Sequence, residues 1–99
     1  MQLYYIIEKH DTEQIRFQHT EVKKFSQTHA KGFDSYADAK KALEEEYYKF
    51  AEGREVVEVE RSEQGNIKRA VFNEPDFRED NFGNRNKSTI EIFLAKAVF

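Results

Sequence analysis

The sequence predicts an α+β domain: a two-layer, five-stranded, mostly antiparallel sheet with one helix packed on one face, in the order ββαβββ. Three observations carry this expectation. Residues 36–52 place apolar side chains at helical spacing and form the clearest element. The other apolar runs are short or alternate with polar residues, as strands do. Of 99 residues, 24 are Leu, Ile, Val or Phe, which is material for one modest core. Residues 1–99 are therefore read as a single domain with a long polar loop at about 74–88.

The first strand is Gln2 to Glu8, with LYYII at its heart. His10-Asp11-Thr12-Glu13 is a polar cluster and reads as a turn. Ile15 and Phe17 alternate with Arg16 and Gln18, so a second strand follows and closes a hairpin. Thr20 to Lys31 has no clear cap and reads as an end of strand running into loop. The helix begins at Ser35, whose hydroxyl suits an N-cap, with Asp38 three residues on. Tyr36, Ala39, Leu43, Tyr47 and Phe50 then share one face, and Lys41, Glu44, Glu45, Lys49 and Glu52 the other. Gly53 follows as a residue able to take the left-handed turn. Val57 and Val59 alternate with Glu58 and Glu60, Glu63 to Asn66 turns, and Ile67 to Phe72 returns as the next strand. Thr89 to Ala97 is the last strand.

The strands carry apolar residues on both faces. Leu3, Tyr5 and Ile7 oppose Tyr4 and Ile6, while Ile90, Ile92 and Leu94 oppose Phe93 and Ala95. One helix covers one face only. If Ile90 and Ile92 meet it, Phe93 and Ala95 are left outside, and an exposed apolar patch of roughly several hundred Å² commonly marks a contact surface. Two occupants are open: the long loop, or a second chain, for which a C2 homodimer is the simplest arrangement.

Composition excludes several classes of function. There is no cysteine, so disulfides, thiol chemistry and Cys-ligated zinc are out. No apolar run approaches the roughly 20 residues of a membrane helix, and no secretory signal is visible, so a cytoplasmic protein with no membrane partner is expected. Net charge is −3, with the excess acid between residues 34 and 63, which argues against a generic polyanion binder. The glycines are too scattered for a phosphate loop, and no metalloprotease, nucleophile-elbow or EF-hand pattern occurs. His10, His19 and His29 lack ligand spacing, so no metal is expected, and nothing calls for a cofactor.

The chain is accordingly expected not to be an enzyme but a protein-interaction module, accessory or inhibitory, that binds a protein partner or itself. Its candidate residues are Phe77, Arg78, Asp80, Phe82 and Arg85 in the long loop, and Phe93 on the second face. Within that loop Asp80 to Lys87 is expected to be mobile. The alternative is a nucleic-acid-associated protein, with sheet aromatics rimmed by Lys23, Lys24, Lys31, Arg69, Arg85 and Lys87.

Overall fold

The computed structural model describes residues 2–16, 21–74 and 85–98. Five strands and one helix follow in the expected order: β1 (Gln2–Arg16), β2 (Glu21–Phe33), α1 (Tyr36–Ala51), β3 (Glu55–Arg61), β4 (Ile67–Asn73) and β5 (Arg85–Val98). All neighbouring pairs are antiparallel, and the strands lie in the order β2-β1-β5-β4-β3. The two strands nearest the termini thus run side by side at the centre of the sheet.

The helix forms where its side-chain spacing places it. The Ser35 hydroxyl accepts from the Asp38 amide at 3.4 Å, and Ala39 N–H closes the first turn on the Ser35 carbonyl at 3.1 Å. Gly53, at φ +79°, turns the chain out of the helix in a conformation that costs a side-chain-bearing residue about 1–2 kcal/mol. Arg54 then ties this end to β4. It donates to Glu74 at 2.8 Å and to the Phe50 carbonyl at 3.4 Å, and lies over the Phe50 ring. Ala39, Leu43 and Phe50 are buried, whereas Tyr36 at the first turn is 47% exposed and meets the Tyr4 ring edge-on.

The core lies between α1 and one face of the sheet: Ile6, Leu43, Phe50, Ile67, Ala70, Phe72, Ile90 and Ile92, with Phe33, Tyr47, Val59 and Leu94 packed around them. Phe72 is fully buried, with the Tyr47 and Phe50 rings at 5.7 and 5.9 Å. Ile67 and Ala70 both reach this core because the β3–β4 pairing shifts register between Glu60 and Arg61.

Three expectations need correction. His10 to Glu13 is not a turn. It continues β1, paired with residues 24–27 on one side and with residues 87–90 on the other. Polar side chains are stable there because the domain is 52 Å long while a 16-residue helix spans about 24 Å, so β1, β2 and β5 run on beyond it with both faces wet. Thr12 bonds to Ser88 at 3.1 Å, Ser26 to Asp11 at 2.7 Å, and Lys24 approaches Glu13 at 3.8 Å. Secondly, the segment read as strand end and loop is strand through to Phe33. Thirdly, the end of the segment expected to be loop, 74–88, is strand. Glu74 N–H donates to the Ser88 carbonyl at 3.0 Å and Arg85–Ser88 belong to β5, so Arg85 to Lys87 of the stretch expected to be mobile is strand. Phe17, Phe77, Arg78, Asp80 and Phe82 lie outside the described residues.

Candidate interaction surface

Strand alternation and the observed register lay out the face of the sheet that turns away from α1. Its rows run across the strands. Leu3 stands opposite Ala97, Tyr5 lies between Gly32 and Ala95, and Ile7 lies between Ala30 and Phe93. Next come Lys9 between Thr28 and Glu91, Asp11 between Ser26 and Thr89, and Glu13 between Lys24 and Lys87. On the far side β4 adds Arg69 beside Phe93, Val71 beside Glu91 and Asn73 beside Thr89.

The face is therefore divided. One end is apolar: Leu3, Tyr5, Ile7, Phe93, Ala95 and Ala97, all half-buried, with Ala30 and Gly32 exposed at the edge. Tyr5 spreads its ring over Gly32, where an added Cβ would stand 3.3 Å from the ring. The glycine leaves room for that ring, which in turn covers an edge position that has no side chain of its own. With strands at ~4.8 Å and rows at ~6.8 Å, this apolar block measures about 300 Å² in plan. Among the described residues nothing lies over it. Phe93, singled out from alternation in the sequence, stands in the last apolar row, where the block meets Arg69 and Glu91. Arg85 stands outside it, in β5 at the register of Ile15.

The other end is charged and internally paired. Arg69 donates to Glu91 through Nε and approaches Glu58 through Nη1 at 3.0 Å. Its pKa is raised, first by the hydrogen bond to Glu58 and then by that to Glu91. The guanidinium fork thus links β3, β4 and β5 across one face, a role that sequence reading missed because Glu58, Arg69 and Glu91 are distant in the chain. Lys9 lies 3.9 Å from Asp11. Beside Arg69, where β5 runs on past the start of β4, an open groove of about 380 Å³ is lined by Glu60, Lys68, Arg69, Glu91, Phe93 and Leu94.

On the helix side, the sheet brings His10 and His29 together, their rings 6.1 Å apart and edge-on, with Glu8 3.4 Å from His10. His29 and Glu8 also line a second cavity of about 220 Å³ with Glu46 and Lys31. His19 is outside the described residues, and among those described no three ligands converge on a metal position. The basic rim considered for nucleic acid is dispersed: Lys24 and Arg69 face acids on the second face, whereas Lys31 lies over the Phe33 ring on the helix side. No helix among the described residues is long and apolar enough to cross a membrane. No family model, no curated protein and no solved structure matches the chain.

Proposed function

We propose that this domain is a non-catalytic protein-interaction module, and that the sheet face opposite α1 is its contact surface. The observation that carries the reading is the apolar block around Phe93 and Tyr5, uncovered among the described residues while the one helix is spent on the other face. The largest apolar patch on a typical monomer is about 300–600 Å² and is often functional, and this block lies at the lower end of that range. The block also has the anatomy of an interface, with an aromatic centre and a charged rim formed by Lys9, Glu91 and Arg69. An accessory or inhibitory protein of the cytoplasm fits the cysteine-free, mildly acidic composition. A nucleic-acid role has less support, because the cations on this face stand beside carboxylates.

Phe93→Lys tests the proposal. On an open face the lysine stays solvated, and the variant should fold and melt within about 1 kcal/mol of wild type at sub-micromolar concentration, followed by tyrosine fluorescence. A variant that unfolds where wild type is a folded monomer would mean that the chain covers Phe93 itself, and the reading would fall. Salt-sensitive binding to single-stranded DNA or RNA, steep in log concentration, would favour the nucleic-acid alternative instead.

A further inference from the structure

We propose that the occupant of the second face is another copy of this chain, seated face to face about a two-fold axis that runs parallel to the strands between β1 and β5. The inference rests on the reading of that face as a contact surface and adds the partner and the geometry. Such an axis lays β5 of one protomer over β1 of its partner. On the two central strands five of the six rows then meet a complement, and in the sixth Asp11 comes over Thr89. Tyr5 comes over Ala95 and Leu3 over Ala97, large against small, and Ile7 over Phe93. Lys9 comes over Glu91, and Glu13 over Lys87. Each contact occurs twice, as an isologous interface requires.

Alternative pairings of two copies lack this match. An axis across the strands through the Lys9 row would press the apolar block onto Glu13, Lys24 and Lys87. An axis across the Tyr5 row would join the apolar block alone, about 300 Å² in plan, and leave the charged rows in water. The proposed axis uses the face of β2, β1, β5 and β4 over six rows, about 700 Å² in plan, close to the roughly 800 Å² that each partner gives to a standard interface. Edge-to-edge pairing through β2 is opposed by its exposed Lys24 and Lys31, the usual means of blunting an edge. Packed sheets cross at about −30°, so the rows nearest the axis keep their register best. Lys9 and Glu91 flank the axis and adjoin the apolar block, and the experiment uses them.

Within one chain Lys9 and Glu91 are cross-strand neighbours, so a single reversal puts like charges side by side in that chain as well as across the interface. Mixing separates the two effects. Lys9→Glu alone and Glu91→Lys alone should each dimerise at least about tenfold more weakly than wild type, since like-charge contacts at an interface cost more than that. A one-to-one mixture of the two should recover wild-type-like affinity, because both interchain contacts become opposite in sign while the contacts within each chain stay like-signed. The double variant Lys9→Glu/Glu91→Lys should dimerise with itself but not exchange subunits with wild type; every arm is repeated in an Arg69→Met background, because Glu91→Lys otherwise also sets a lysine against the Arg69 guanidinium within the chain. Sedimentation equilibrium reads all of these against a chain mass of 11.8 kDa. Wild type that stays at the single-chain mass at high micromolar concentration overturns the inference. So does a dimer with no recovery on mixing and free exchange between wild type and the double variant. In either case the behaviour of Phe93→Lys as a dilute monomer still decides separately whether the face is open to a different protein.

Discussion

Truncating Phe72 to alanine should be the most damaging single change among the strand residues. Its side chain has no exposure and lies between the Tyr47 and Phe50 rings, so it joins β4 to the second half of α1. Removing a buried phenylalanine costs about 3–5 kcal/mol, from lost transfer free energy and the cavity left behind. Against the 5–15 kcal/mol that holds a typical domain together, this is a large share. Unfolding entropy of about 2.1 cal/mol/K per residue gives roughly 0.2 kcal/mol per degree for a chain this long, so the melting temperature should fall by about 15–25 °C. The neighbouring Val71 supplies the control, because it is half-buried on the opposite face, where it pairs with Glu58 and Glu91. Val71→Ala should cost less than about 1 kcal/mol at concentrations where the chain is monomeric. Circular dichroism melts of both variants under dilute conditions make the comparison. Equal losses for Val71→Ala and Phe72→Ala would refute the assignment of one covered and one open face.

Arg69→Met should lower stability by about 1–2 kcal/mol, because Glu58 and Glu91 lose their shared donor at a half-exposed site; Arg69→Lys should restore less than half of it, since an ammonium cannot reproduce the fork. Thermal melts of the two variants against wild type check both. Gly32→Ala should be more favourable in a Tyr5→Ala background than in wild type, by about 0.5 kcal/mol or more, because only the Tyr5 ring crowds the added Cβ; additive effects would deny that contact. Arg54→Ala should cost about 1–2 kcal/mol by urea unfolding, as it severs the Glu74 ion pair and uncovers the Phe50 ring.

The sequence made the helix legible to within a residue or so, because its signals are local: a Ser35 cap, side chains at helical spacing and a glycine at 53. The β3–β4 hairpin was legible for the same reason, with Gly65 at φ +85° in its turn. The first hairpin was not. Polarity at His10 to Glu13 reads as a turn when a strand is assumed to have one dry face, but here β1 runs between two partner strands beyond the reach of the helix, and polar residues line both its faces. Backbone pairing carries that region, and pairing between distant segments leaves little trace in composition. The same limit applied to the Arg69 fork, whose carboxylates come from β3 and β5. The second face was legible, because alternation within Leu3 to Ile7 and within Ile90 to Ala95 separates its two sides without knowledge of strand order.

Since the chain has no cysteine, one can be placed in the apolar block beside the proposed axis with little change in volume. In Ala95→Cys the new thiol sits on the second face between Tyr5 and the end of β5. Its reaction rate with a soluble, uncharged thiol reagent, measured from nanomolar to high micromolar protein, asks directly whether that face is open in one chain and closed by a second. The rate should be fast in dilute solution and fall as protein concentration rises, with a midpoint matching the dimer dissociation constant from sedimentation. A rate that is fast at every concentration would contradict self-association, and one that is slow at every concentration would contradict the open face itself.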